Sequence, residues 1–387
     1  MRDPALVSEA RALRAAFADF PTLAALHAAP RWPEWAARLE ALLATTRRHD
    51  AGTDSPTPSD DTIHVAHWNV EHGNRFEAIA EALTTHPRLA AADVLTLNEV
   101  DLGMARSGNR DVAGELARQR GLHAVWAPLF LEGTRGRDDD ALTAVADDNH
   151  ESLFGLAVLS RWPLGPARVQ PLPGPARELF DRERMLGRFV ALHVEVQHPV
   201  TPFVVATAHL EVHRTRAHRA QQMREVLATL APESRPIVLT GDWNTHTFDR
   251  GTPGAVLAAS SALLAWPGPA LEQRFTRPDR GPHAEPLFAE LARAGFAWEP
   301  HHDAAPTLQM RFSRLGEVHA MPAPLRAFVS RGLRRAERRA RLRLDWIATR
   351  GFTAVAPGPC TVTGLDGPGR ASDHAPILTA LRPTAPR

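Results

Sequence analysis

The run VLTGDWN, residues 238–244, constrains this chain more than any other stretch. Its aliphatic residues pass straight into Gly, Asp and Asn, the pattern of a buried strand that ends at a sheet edge and presents polar side chains there. Asp242 and Asn244 lie two apart, so an extended path projects both to one side, where a carboxylate and an amide can hold one water or one cation-bound oxygen. Isolated Asp and Asn after a strand usually do no more than close a turn. The company they keep decides between the two readings.

Residues 1–47 read as a helical extension. Pro4 follows the cap-type Asp3, Leu6, Ala10, Leu13 and Phe17 recur at helical spacing, and Trp35, Leu39 and Leu42 mark a second helix. Residues 48–61, rich in Asp, Ser, Thr and Pro without periodicity, read as a linker to a domain spanning 62–383. In that domain IHVAHWN, DVLTLNEVD, LHAVWAP, FGLAVLS, FVALHVEV and PFVVATAHL are strand-like, while NRFEAIAEALTTH, DVAGELARQRG and residues 214–230 are helical. A short turn over 197–201 makes FVALHVEV and PFVVATAHL a hairpin. A short helix is expected over 287–294, a helical stretch from 325 running into LDWIATR, and a closing strand over 375–381. Strands that alternate with helices, with one adjacent pair antiparallel, argue for an α/β fold of two packed mixed sheets with helices outside.

The chain has 387 residues, 44% of them hydrophobic, ample for a packed core. No apolar run approaches the roughly 18 residues of a membrane span, and the first residues carry charges where a signal peptide needs an apolar stretch, so a cytoplasmic location is expected. The lone Cys360 forms no internal disulfide. Every basic residue is Arg, and Lys and Tyr are absent, a composition that reads as coding bias and makes arginine abundance weak evidence for phosphate binding. Without a primary amine on a side chain, Schiff-base catalysis is excluded. A net charge of +1 leaves polyanion binding to local patches. One such patch is 325–343, where Leu325, Val329, Leu333, Ala336 and Ala340 form an apolar stripe among arginines: a surface helix whose Arg stems cover core, or a face that tracks phosphates or anionic lipid. The acidic run 138–140 reads as part of a solvated loop over 135–151.

Further polar clusters stand where strands end: Asn69 in AHWNVEHG, Glu99 in LTLNEVD, His209 in ATAHLEVH, Asp345 in RLDWI, and Asp373 with His374 in GRASDHAPI. With GDWN, and in this order over residues 62–383, they resemble the endonuclease/exonuclease/phosphatase superfamily of DNase I-like nucleases, neutral sphingomyelinases and inositol polyphosphate phosphatases. The resemblance implies a four-layer α/β sandwich, preceded here by the helical extension, and hydrolysis of phosphoesters with a divalent cation, magnesium or alternatively manganese. By motif, Glu99 becomes the principal metal ligand, assisted by Asn69 and Asp373. Asp242 orients or deprotonates the attacking water, and Asn244 bonds the phosphate or the metal's surroundings. His374 contacts phosphate or acts as base with Asp345 fixing its tautomer, and His209 faces the developing charge. Arg188 in LGRFVAL is a candidate phosphate contact, and Arg219 and Gln222 are read as structural.

Two departures from the family pattern stand out, Asn98 where many members have Gln and Ala208 where Thr is usual. Apurinic-site repair enzymes fit less well, since they use an active-site tyrosine and lack a histidine motif like that of His209. His64, His67, His72, His213, His218, His301 and His302 are read as structural or surface residues, as most lone histidines are, the last two in a loop beside Asp303. The first expectation is a nuclease or other phosphodiesterase with a nucleic-acid substrate. The second is a phosphatase or phosphodiesterase acting on a small molecule or lipid headgroup, and the third a noncatalytic binding protein that retains the fold.

Overall fold

The computed structural model describes residues 4–52, 61–136, 140, 144–174, 184–249, 258, 261–263, 265–311, 322–324, 327, 334, 336–355, 360–367 and 369–384. Residues 53–60 of the expected linker, 138–139 of the acidic run, and 325–326, 328–333 and 335 of the basic stretch lie outside the described residues.

Two mixed sheets occupy the centre. In the first, β4 (His123–Glu132), β5 (Leu153–Ser160), β3 (Val94–Leu102), β2 (Ile63–His72) and β15 (Ile377–Pro383) lie side by side; β1 (Arg47–His49) and β7 (Met185–Gly187) join at β4, and β14 (Phe352–Ala354) at β15. The second runs β13 (Asp345–Arg350), β10 (Ile237–Asp242), β9 (Phe203–Ala208), β8 (Val190–Val196), β6 (Leu164–Pro171). A separate ribbon pairs β11 (Leu308–Gln309) with β12 (Arg341–Leu342). Strands buried on both faces explain the near-continuous apolar runs in the sequence: every residue of β4, β5, β9 and β10 is buried.

The inner faces of the sheets meet through Val65, Val94, Val125 and Val158 on one side and Val194, Val205 and Leu239 on the other. The outer face of the first sheet is covered by α1 (Pro4–Phe17), α2 (Leu23–His27), α3 (Trp32–Leu43), α4 (Phe76–Thr85), α5 (Pro87–Ala90) and α6 (Val112–Arg120). Helices α7 (Arg216–Leu230) and α9 (Leu287–Arg293) pack together on the second sheet against Trp346, while α8 (Gly268–Thr276) packs on β12. The result is the four-layer α/β sandwich expected. Local chemistry sets the helix ends: the Asp111 carboxylate accepts from the Gly114 amide at 3.0 Å to start α6, and Gly121 at φ 60° stops it.

Strand direction fixes where a site can form. The parallel pairs β2/β3 and β9/β10 end at one edge of the sandwich, and β15 and β13, antiparallel to β2 and β10, begin there. Asn69, Glu99, His209, Asp242, Asp345 and His374 all stand at that edge, because each sits where its strand enters or leaves it.

The structure alters three details of the expected layout. LDWIATR is a strand, not the end of a helix: β13 pairs residue by residue with β10, Asp345 opposite Asp242, and buries five of its six side chains. Arg47–His49, placed by composition at the extension's end and in the linker, pair with β4. His301, read as a loop residue, is buried at the end of a 3₁₀ turn, its ring nitrogens 2.8 and 2.9 Å from the Thr379 and Thr349 hydroxyls.

Burial pushes His301 down to about 4, and burial with the Arg168 charge does the same to His193. Both rings are neutral in the fold and take up a proton near pH 6.5 once unfolded. The stability gained by burying them neutral is therefore complete above about pH 6.5 and drains away as pH falls from there toward 4, by up to about 3 kcal/mol for each ring. Urea unfolding at pH 7.5 and 5 reads this; the His301→Asn variant is expected to lose less between the two.

Candidate active site

Gly241 begins the site. At φ 151° it bends β10 so tightly against β9 that a Cβ would stand 1.9 Å from the Ala208 carbonyl oxygen, so only glycine allows Asp242 and His209 to emerge side by side. Asp242 is then fixed from both sheets. Its amide donates to the Asn98 Oδ1 at 2.7 Å, its Oδ1 accepts from the Asn244 amide at 2.9 Å, and its Oδ2 accepts from Asn69 Nδ2 at 3.2 Å. The histidines approach the same oxygen, with the Nε2 atoms of His209 and of His374 each 3.8 Å from it.

Glu99 lies within a β-bulge in β3 and takes φ 52°, a left-handed conformation uncommon for a residue with a side chain. Its carboxylate lies 4.0 Å from His209 Nε2 and 3.3 Å from His72 Nε2. Burial and the Asp373 charge, with a further push from Asp242, raise it to about 8 against the opposing pull of His374 and Asn69. Ligand atoms of Glu99, His209 and Asp242 lie within 4.8 Å of one another, an oxygen-rich set of the kind a hard divalent cation takes. The second close trio, Asp242, Asp345 and His374, is of another kind, since two of its members already bond each other.

That bond is 2.7 Å, from His374 Nδ1 to Asp345 Oδ2, with Asp345 fully buried. Burial alone would lower His374, but the Asp345 carboxylate, helped by Asp373 and Asp242, raises it well above its ordinary value. Asp345 is in turn held well below the usual carboxylate range: burial opposes this, and His374 followed by His67 overcomes it. Behind Asp345 stands His67, its Nε2 3.3 Å from Oδ1 and its Nδ1 2.9 Å from Thr96 Oγ1, which accepts from Thr240 Oγ1 at 2.8 Å. A polar file thus runs from between the sheets to the cleft.

The geometry gathers Asn69, Glu99, His209, Asp242, Asn244, Asp345 and His374, with Asp373 close enough to act on two of them. It does not gather Arg188. That guanidinium pairs with Glu40 on α3, and its amide donates to the Leu129 carbonyl, because the β7 segment carries it toward the N-terminal helices. His67 and His72, read as structural, stand in or behind the site. His67 was findable: it lies two before Asn69 on one strand, so both face the same way. His72 was not, since the register shift between Asn69 and His72 breaks the alternation. Asp140, read as solvated, is partly buried, accepts from Asn74 Nδ2 at 2.8 Å and lines the cleft. Arg106, deep in the cleft wall, is clamped by Asp101 at 2.8 Å and Glu132 at 2.9 Å. Asn98 proves to be a staple, joining Asp242 of the second sheet and Thr207 Oγ1 at 3.2 Å.

Arg219 and Gln222 fasten α7 beside this edge. Arg219 and Glu285 form a fully buried pair at 2.6 Å, and Gln222 Oε1 accepts from the Glu211 amide at 2.9 Å. Arg219→Ala leaves the Glu285 charge buried alone and is expected to cost about 3–5 kcal/mol, seen as a lower midpoint in chemical unfolding.

The sequence model of the Endonuclease/Exonuclease/phosphatase family matches residues 66–374. The chain belongs to this family, whose members hydrolyse phosphoester bonds. No curated protein sequence matches it. Similar solved structures include an endonuclease/exonuclease/phosphatase from Beutenbergia cavernae, 21% identical over 84% of this chain and 72% of that one, TM-score 0.48. The human nocturnin catalytic domain with bound sulfate is 15% identical over 88% and 98%, TM-score 0.47. A 3′ phosphatase from Neisseria bound to a product DNA hairpin is 15% identical over 82% and 98%, TM-score 0.45.

Proposed function

We propose that residues 62–383 form a divalent-cation-dependent phosphoester hydrolase that cleaves a nucleic-acid phosphodiester, braced by the helical extension 1–47, with 48–61 linking the two. The observation that carries this reading is the convergence of Glu99, Asp242, His209 and the Asp345–His374 pair on one cleft from strands far apart in sequence. A noncatalytic role would leave no reason to bury so many mutually repelling acids together. Among the described residues no helix is long and apolar enough to cross a membrane.

Burial first, and then the neighbouring Asp373 and Asp242 charges, raise Glu99 to about 8, and acids crowded in this way suit a cation. Glu99, with Asn69 and Asp373, would hold magnesium or manganese, which when bound withdraws charge from the phosphoryl oxygens. The remaining steps belong to this chain's side chains. Asp242, held by Asn69 and the Asn244 amide, orients a water and takes its proton. His374, kept protonated by Asp345, binds a nonbridging phosphate oxygen. His209, beside both Glu99 and Asp242, faces the charge that develops and donates a proton to the leaving oxygen. Asn244 Nδ2 donates to the Leu210 carbonyl at 2.8 Å, which sets the loop that carries His209.

A substrate panel tests the reading: single-stranded DNA, RNA, plasmid, a bis-aryl phosphate, sphingomyelin and inositol phosphates, each with Mg²⁺. Consumption of a nucleic acid is expected. Turnover confined to a small ester or lipid headgroup would transfer the same chemistry to the second substrate class.

A further inference from the structure

Beside the catalytic cleft lies a second cavity of about 480 Å³, continuous in its lining with another of about 280 Å³ through Trp266, Arg274 and His283. Thr247 lines it, while His246, one residue earlier, lines the catalytic cleft, so a single chain segment divides the two. Its walls combine planar rings with fixed cations. The Trp266 and His283 rings stand 5.1 Å apart, and the Arg274 guanidinium lies 4.9 Å from Trp266 and 3.8 Å from Phe248.

Arg274 is the informative residue. Its Nε donates to Thr247 Oγ1 at 2.8 Å and its Nη2 to the Thr247 carbonyl at 2.5 Å, both neutral, and among the described residues its Nη1 meets no acceptor. A salt-bridged arginine has its charge favoured; here burial and the neighbouring Arg216 push the guanidinium down to about 10, against the weaker pull of Glu285 and Asp249. Arg216 pairs with the half-exposed Asp249 at 3.3 Å, while Arg277 and Arg280 share Asp279. The cavity therefore has more cation than anion, and its least compensated cation is sandwiched between rings. Because arginine is abundant throughout this chain, the placement rather than the number carries the argument.

We infer that this cavity binds a nucleotide unit, its base against Trp266 and His283 and its phosphate on the Nη1 edge of Arg274. The inference rests on the nucleic-acid reading above: the unit is a nucleotide flanking the one being cut, held by stacking and charge without reading sequence. A free mononucleotide has the same chemistry, and the experiment separates the two sources.

Fluorescence anisotropy of a labelled single-stranded DNA oligonucleotide, in chelator so that nothing is cut, is measured for wild type, Trp266→Ala and Arg274→Gln. AMP is then added as competitor. Each variant is expected to weaken oligonucleotide binding by about fivefold or more, Arg274→Gln also flattening the salt dependence. Both should keep wild-type turnover of bis-aryl phosphate with Mg²⁺. Trp266→Leu keeps the bulk and removes the ring, should Trp266→Ala fail to fold. Displacement by AMP in the low-millimolar range or below identifies the free nucleotide as a ligand as well; its failure leaves the strand alone. Wild-type affinity in folded Trp266→Leu and Arg274→Gln overturns the proposal, while cleavage of that oligonucleotide by the wild type would still uphold the nucleic-acid reading. If the wild type neither binds nor cuts it, the nucleic-acid reading falls, and the cavity is upheld only by AMP binding that both variants lose.

Discussion

Asp242→Asn should lower kcat on a phosphoester by about 10²-fold or more, with KM and melting temperature close to wild type. The substitution is nearly isosteric, and it keeps the oxygen that accepts from the Asn244 amide and the backbone amide that donates to Asn98. What it removes is the negative charge that faces both histidines at 3.8 Å and would take the water's proton, together with the Oδ2 that accepts from Asn69 Nδ2. His209→Ala is expected to lose a similar factor, since its Nε2 sits between Glu99 and Asp242 where charge develops. Single-turnover kinetics on one substrate read both. Near-wild-type turnover in either variant would break that residue's assignment.

Glu99→Gln is expected to separate stability from function. In the cation-free protein an ionised Glu99, above about pH 8, stands among like charges that a neutral amide relieves, and below that pH the amide replaces a carboxyl that is already largely protonated. Its melting temperature in chelator should equal or exceed that of wild type. Affinity for Mn²⁺ should fall by about 10²-fold or more, and turnover with it. Calorimetric titration with Mn²⁺ and thermal melts with and without the ion distinguish this from simple damage to the fold. Unchanged Mn²⁺ affinity would remove Glu99 from the cation site.

Much of this layout is legible in the sequence. Apolar runs that stop at polar residues mark strands buried on both faces, and the residues after them share an edge only if their strands share a direction. The GDWN and AHLE stretches met that condition, since β9 and β10 are parallel. The Asp345 and His374 positions met it from the other side, at the starts of antiparallel strands. What stayed hidden depended on departures from regular geometry. The register shift after Asn69 carried His72 into the cleft, and Asp140, one of three acids in a row, was claimed by Asn74 through contacts no periodicity encodes. Arg188 failed for a related reason: a planar fork beside a strand reads as a phosphate contact until Glu40, 148 positions earlier, is seen to hold it. LDWIATR followed a helical pattern, yet pairing with β10 prevailed over local propensity.

The central claim is that one cation-dependent centre, built from the edges of both sheets, performs the hydrolysis. Turnover of bis-aryl phosphate and of the best substrate in the panel, followed with Mg²⁺, after EDTA, and after restoring Mg²⁺, tests it most directly. The expected result is activity that vanishes with chelator, returns with the ion, and is crippled in Asp242→Asn under every condition. Hydrolysis that persists in EDTA, or that survives intact in Asp242→Asn, would contradict it.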